Sequence, residues 1–130
     1  MIPPELASLS RVKYLEGGRD PAIGLDCWGF YREACRVLSL PVPPVHQVEG
    51  KEGEAAEWAK AAASPEWRRI ILPEPYCLVL LTRPGRNPHC GMVLPDLFTF
   101  VHLGAQGFRC DFLDCAQFRL ARKEYFRYVP

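Results

Sequence analysis

Apolar positions in the N-terminal half of the chain recur at helical spacing. Intervals of three and four residues predict a short helix over residues 5–15 and a longer one over residues 27–40. Asp26 stands directly before the second helix, where a carboxylate is a favoured N-cap. Residues 51–63 are rich in alanine and glutamate, which indicates a third helix that ends before Pro65. This half of the chain is therefore expected to be mainly helical.

The C-terminal half has the pattern of short β-strands. Apolar runs at residues 76–82, 90–94 and 98–103 are separated by turns that contain proline. Weaker strand patterns follow near residues 108–113 and 125–129. Helices followed by a meander of strands indicate an α+β domain.

Composition and charge exclude several classes of protein. A length of 130 residues fits one domain over residues 1–130, and a hydrophobic content of 48% is enough for a core. The net charge of +1 gives no indication of a nucleic-acid partner. No apolar run approaches the ~20 residues that a membrane-spanning helix needs. The first residues lack the pattern of a signal peptide, so we expect folding in the cytosol.

Six cysteines are many for a chain of this length. Without a signal peptide, we expect reduced thiols that are mostly buried, and not a disulfide framework. Cys110 and Cys115 are separated by four residues, and no second pair follows them, so they do not match a zinc-binding spacing.

The strongest chemical signal comes from Cys27, His89 and His102. Cys27 lies at the predicted start of the helix over 27–40, where backbone N–H groups and the helix dipole lower the pKa of a thiol. The two histidines lie at the outer ends of two consecutive predicted strands, and a hairpin would bring them together. A thiol needs a base, and the base needs a group that orients it. These residues predict a cysteine nucleophile, and a zinc site with one open position is the alternative.

Other candidate residues have weaker context. His46 lies in a proline-rich loop and is interpreted as a loop residue, and Trp67 as a core or rim residue near a helix end. Near the C terminus, basic residues alternate with aromatic ones. The basic residues are Arg119, Arg122, Lys123 and Arg127. A solvated face explains this pattern, and a docking surface for another subunit is the alternative.

Several motifs resemble those of a known family. Residues 14–18 (YLEGG) and 24–30 (GLDCWGF) are similar to the Tyr-x-x-Gly-Gly and Gly-x-Asp-Cys-Ser-Gly-Phe elements of the NlpC-type cell-wall peptidases, a papain-like family of cysteine hydrolases. Residues 89–91 resemble the family's His-Val-Gly strand, and residues 100–102 resemble the strand that carries its third polar residue. The resemblance spans about residues 11–104.

The chain departs from the family pattern at two positions. Trp28 replaces the commoner serine, and Cys90 replaces the usual valine. Because side chains alternate along a strand, Cys90 is expected to point away from His89. Asp-Cys-Trp-Gly, followed by an arginine-bearing helix and Leu-Pro, is similar to the phage tail-tip branch of the family, as is the ending at residues 125–128.

The resemblance implies a papain-like α+β fold, in which N-terminal helices that carry the nucleophile pack on a C-terminal antiparallel sheet. It implies that Cys27 is the nucleophile, that His89 is the general base and that His102 orients His89. The backbone N–H of Cys27 and the Tyr14 hydroxyl are implied as oxyanion donors. Asp26 is implied as a contact to the substrate's free amine. Aromatic packing of Tyr14 and helix capping by Asp26 are the alternatives.

These residues and the resemblance predict a hydrolase of the peptidoglycan stem peptide that needs no metal or other cofactor. The expected bond joins D-γ-glutamyl to a diamino acid. The expected setting is the virion tail of a phage or tail-like particle, where the enzyme opens the cell wall during genome delivery beside tail hub and tip proteins. The alternatives are a structural tail-tip subunit with little activity, a Cys/His metal-binding module, and a host wall hydrolase or amide acyltransferase.

Overall fold

The computed structural model describes residues 2–44 and 64–130. In these residues, helix α1 spans Pro4–Ala7 and helix α2 spans Cys27–Val37. Between them, β1 (Arg19–Asp20) and β2 (Gly24–Leu25) form a short antiparallel pair. None of the described helices has the length and apolar character needed to cross a membrane.

Six further strands form one antiparallel sheet in the order β3-β8-β4-β5-β6-β7. The strands are β3 (Trp67–Ile70), β4 (Leu78–Thr82), β5 (His89–Val93), β6 (Thr99–Gly104), β7 (Gly107–Phe112) and β8 (Arg122–Tyr128). A short 3₁₀ turn at Ala116–Phe118 precedes β8. The predicted combination of helix and antiparallel sheet is confirmed.

The N-terminal helices differ from the prediction. The helix expected over residues 5–15 ends at Ala7, because the chain continues as turns in which the N–H groups of Leu9 and Val12 bond to carbonyl oxygens three residues earlier. Leu9 is buried without being helical, which explains its apolar spacing. The predicted helix over 51–63 and His46 lie outside the described residues.

The predicted meander is correct only for β4 to β7. Strand β8 crosses to the other side of β4 and lies between β3 and β4, pairing with both. Strand β3 was not predicted, and Trp67, interpreted as a residue near a helix end, is buried in it. Two exposed arginines follow Trp67, so β3 lacks a continuous apolar pattern.

The basic residues near the C terminus lie mainly at the surface, as the solvated-face interpretation expects. Arg127 forms an ion pair with Glu74 at 3.0 Å, and Arg122 forms one with Glu124 at 3.5 Å. The aromatic Phe126 between them is buried.

Both faces of the central sheet are covered by apolar groups. On one face, Phe30 and Ala34 of α2 pack in a cluster that includes Cys90 and Met92 of β5. Burial of a side chain such as Phe30 contributes roughly 2–3 kcal/mol. On the other face, Phe118 belongs to a second cluster with side chains of β4, β5 and β6. This double coverage explains why β4 and β5 are almost continuously apolar.

Gly91 allows β5 and β6 to approach each other closely. A Cβ at this position would lie 2.7 Å from the Val101 oxygen and 2.7 Å from Phe100 Cδ2, with His102 Cβ 3.0 Å away. No side chain fits without a shift of β6. The glycine thus explains the third position of the His-x-Gly motif and keeps the two histidine-bearing strands in contact.

We expect Gly91→Ala to lower the free energy of unfolding by about 1–3 kcal/mol, because the added methyl group overpacks the contact with β6. The measurement is urea unfolding of the purified variant. Gly104→Ala is the matched control, since the atom nearest to a Cβ there is His89 Cε1 at 4.0 Å. Equal stability of Gly91→Ala and the wild type would contradict this packing.

Candidate active site

Cys27 is the first residue of α2 and is almost fully buried. Asp26 caps the helix, because its Oδ1 accepts the Gly29 N–H at 2.7 Å, and the same oxygen lies 2.6 Å from an Arg19 guanidinium nitrogen. A Cβ on Gly29 would lie 2.5 Å from the Gly18 carbonyl oxygen, so glycine is required where the helix passes this loop. The two N-terminal motifs therefore hold the thiol at the positive end of the helix.

The two predicted histidines meet as the hairpin model expected. His89 begins β5 and His102 lies near the end of β6, and these strands pair in antiparallel register. His89 Nε2 lies 2.8 Å from His102 Nδ1, with the two rings nearly perpendicular. His89 also stacks on Phe118 with an interplanar angle of 8°.

Asp111 extends the series and was not predicted from the sequence. Its Oδ2 lies 2.8 Å from His102 Nε2. The Arg109 guanidinium donates to both oxygens of this carboxylate, at 3.0 and 3.1 Å. Asp111 could have been found from the sequence only by pairing β6 with β7. In that register Asp111 lies opposite Phe100, and its side chain lies on the same face of the sheet as Phe100 and His102.

Burial decides the protonation state of His102. Burial lowers the pKa of His102 to about 4, helped by the nearby His89 and opposed by the Asp111 carboxylate. His102 is therefore neutral at neutral pH, and its contact with Asp111 is a hydrogen bond more than an ion pair. The Arg109 guanidinium is the main cause that holds the pKa of Asp111 below its usual range, so this carboxylate is ionised.

These charge states assign a direction to every hydrogen bond in the series. Because ionised Asp111 only accepts, His102 Nε2 carries the proton and donates to it. Neutral His102 then presents an unprotonated Nδ1, which accepts from His89 Nε2–H. The Nδ1 of His89 is left as the basic nitrogen for the Cys27 thiol, with which His89 forms a hydrogen bond.

The Cys27 thiol is distinguished from the other buried thiols by its partners. A hydrogen bond from the Cys90 thiol is the largest cause that lowers the pKa of Cys27 well below its ordinary value, and His89 lowers it further against the opposing effect of burial. Burial instead raises the pKa of Cys35 to about 12 and that of Cys77 to about 11. Of these three thiols, Cys27 has the lowered pKa that favours a thiolate, and Cys35 and Cys77 do not.

Cys90 has a larger part in the site than its sequence position indicated. It was expected to point away from His89, and it does, because it belongs to the cluster on the α2 face while His89 stacks on Phe118. That direction brings its thiol to Cys27. All six cysteines are free in this structure, and four of them are buried, which agrees with the expectation that most of the thiols are buried.

A cleft of about 820 Å³ opens at this site. Cys27, His89, His102 and Tyr14 line it together, so the structure unites four of the five predicted site residues. Asp26 is not among the described residues that line the cleft, and its carboxylate is engaged with Gly29 and Arg19. The structure therefore supports the alternative in which Asp26 caps helix α2.

The alternative of a metal site is not supported by the described part of the chain. In residues 2–44 and 64–130, no group of three or more His, Cys, Asp or Glu side chains is arranged to hold a metal ion. Both ring nitrogens of His102 are already engaged, one with His89 and one with Asp111.

The low pKa of His102 predicts a loss of stability in acid. In the unfolded chain His102 takes up a proton near pH 6.5, whereas the folded chain resists protonation until about pH 4. The unfolded state therefore binds more protons as the pH falls from 6.5 to 4, and stability decreases by up to about 3 kcal/mol.

The measurement is urea unfolding of the wild type and His102→Gln at pH 7 and at pH 4.5. We expect the wild type to lose more stability between these values than the variant does. The two proteins share every carboxylate, so the acid effects of carboxylates other than Asp111, which contacts residue 102, cancel. Parallel pH profiles would contradict the burial of a neutral His102.

Comparison with known proteins supports the fold. No protein-family model and no curated protein matches this chain. A solved structure that it resembles is the NlpC/p60 domain of the peptidoglycan hydrolase SagA, with a TM-score of 0.57 and 18% sequence identity over 93% of this chain and 92% of that one. At this identity the likeness shows the fold alone. The chain thus shares its mixed helix and antiparallel sheet with this NlpC/p60 domain, and the expected arrangement of several N-terminal helices is not confirmed.

Proposed function

We propose that this chain is a cysteine hydrolase that cleaves an amide bond in the stem peptide of peptidoglycan. The observation that carries the proposal is the hydrogen-bonded series from Asp111 through His102 and His89 to Cys27, which opens into a cleft. The structural neighbour is a domain of a peptidoglycan hydrolase, which supports the substrate class.

In the proposed mechanism His89 acts first as a base and then as an acid. Its Nδ1 accepts the proton of the Cys27 thiol, and the thiolate attacks the carbonyl carbon of the substrate amide. The backbone N–H of Cys27 and the Tyr14 hydroxyl are the proposed donors to the oxyanion. The intermediate collapses to a thioester as His89 returns the proton to the leaving amine. Water, deprotonated by His89, then hydrolyses the thioester and restores the thiol.

His102 and Asp111 position the base in this mechanism. His102 accepts from His89 Nε2–H, so the ring of His89 is held with Nδ1 towards the thiol. Because burial keeps His102 neutral, the imidazolium that forms on His89 is hydrogen-bonded to a neutral ring and not to a second imidazolium. The Asp111 carboxylate stabilises the polarised His102 ring from the far side. Asp26 positions Cys27 by capping α2.

The bond and the biological setting are finer parts of the proposal. We place the scissile bond between D-γ-glutamyl and a diamino acid. We place the protein in the tail tip of a phage or tail-like particle, with tail hub and tip proteins as partners. The Asp-Cys-Trp-Gly motif at Cys27 and the ending at residues 125–128 support this setting through their resemblance to that branch.

A structural subunit without activity is the second candidate function. The observation that favours it is the burial of Cys27, of which only 5% is exposed. A tail protein could retain the fold for assembly while its thiol stays out of reach of the substrate. Digestion of the wall polymer separates the two candidates.

We expect the wild type to release stem-peptide fragments from purified peptidoglycan, and Cys27→Ala to release none, because the variant lacks the nucleophile. Mass spectrometry of the fragments identifies the bond. The control is Cys110→Ala, which removes an exposed thiol elsewhere and should keep full activity. Melting temperatures of all three proteins should be nearly equal.

Two outcomes would contradict the proposal in different ways. Cleavage by Cys27→Ala would exclude Cys27 as the nucleophile. A folded wild type that cleaves nothing would support the structural-subunit candidate.

A further inference from the structure

The cleft contains a guanidinium group that contacts the same aromatic ring as the base. Arg83 directly follows β4 and lines the cleft. Its Cζ lies 5.0 Å from the centre of the Phe118 ring, and its Nη1 donates to the Gln117 carbonyl oxygen at 3.5 Å. Phe118 is buried and stacks on His89, so one ring contacts both the base and the guanidinium.

The charge of Arg83 is not balanced within the described chain. Arg109, another arginine of the cleft, is neutralised by its two hydrogen bonds to Asp111. Across residues 2–44 and 64–130, neither Arg83 nor Arg86 forms an ion pair with a carboxylate. Glu16 is the carboxylate among the described lining residues. The cleft therefore has an excess of positive charge on the side of His89.

An arginine in this arrangement is suited to a carboxylate ligand. Its planar guanidinium donates two parallel hydrogen bonds to the two oxygens of a carboxylate. A carboxamide is uncharged and has one acceptor oxygen, so it cannot form the same bidentate ion pair. Contact with the Phe118 face leaves the edge of the guanidinium, where the N–H groups lie, available for the ligand, apart from the N–H of Nη1 that donates to Gln117. Because the ring already restricts the side chain, less conformational entropy is lost on binding.

We propose that Arg83 binds a substrate carboxylate next to the scissile amide, so that the enzyme prefers acidic stem peptides to their amidated forms. The inference rests on the proposed function and adds a determinant of specificity to it. In a peptide linked through the γ-carboxyl of D-glutamate, the α-carboxylate belongs to the same residue as the scissile carbonyl. Arg83 lines the same cleft as Cys27 and His89, and we assign to it the distinction between that carboxylate and its carboxamide.

The test uses two synthetic stem peptides that differ only in this group, one with the α-carboxylate and one with the α-carboxamide. We expect the wild type to have a kcat/KM about tenfold or more higher for the carboxylate peptide. Arg83→Gln should lose most of this preference through slower cleavage of the carboxylate peptide, with little change for the carboxamide peptide. Arg83→Lys should be intermediate, because it keeps the charge and loses the fork.

The control is Arg119→Gln, which removes an exposed charge close to Phe118 in the sequence and outside the described lining of the cleft. It should keep the wild-type preference. Melting temperatures verify that each variant is folded, and Arg83→Lys provides a second test if Arg83→Gln does not fold.

The possible outcomes separate this inference from the function it rests on. Cleavage of both peptides at equal rates by the wild type would overturn the inference and leave the hydrolase intact. A preference that Arg83→Gln and Arg83→Lys both retain would also overturn it. Cleavage of neither peptide by the folded wild type would overturn the proposed function, and the inference with it.

Discussion

The hydrogen bond between buried His102 and Asp111 is the interaction on which the rest of the site depends. It fixes the proton of His102 on Nε2, and this determines which nitrogen of His89 is basic. At one end of the site, the Arg109 guanidinium keeps the Asp111 carboxylate ionised. At the other end, His89 is hydrogen-bonded to the Cys27 thiol and lowers its pKa. Four side chains from α2, β5, β6 and β7 thus form one directed series, and the antiparallel pairing of the three strands holds it together.

The comparison between Cys27 and Cys35 shows what the series contributes. Both thiols belong to α2 and both are buried, so burial alone would raise the pKa of each. The pKa of Cys35 does rise, to about 12. Cys27 differs because it begins the helix and is hydrogen-bonded to Cys90 and His89. The lowered pKa of Cys27 therefore depends on its position at the helix start and on the strand residues that face it.

Short-range patterns in the sequence predicted part of this arrangement. Helix α2 and the hairpin of β5 and β6 follow from apolar periodicity and turn residues, and they bring Cys27, His89 and His102 together. Asp111 requires the register of β6 and β7, which no local pattern determines. The return of β8 beside β3 is likewise a long-range pairing. Residues 8–11 form turns in which Leu9 packs inward, whereas Leu15 is exposed, so apolar periodicity alone misled the prediction there.

Titration of the Cys27 thiolate tests the directed series most directly. The measurement is the ultraviolet absorbance of the thiolate as a function of pH, taken as the difference between the wild type and Cys27→Ser so that the contributions of Cys35, Cys77, Cys110 and Cys115 cancel. We expect a midpoint well below the ordinary thiol value of 9.0, and a higher midpoint when the same difference is measured in an Asp111→Asn background. A midpoint at or above 9.0 in the wild type would contradict the assignment of Cys27 as an activated nucleophile.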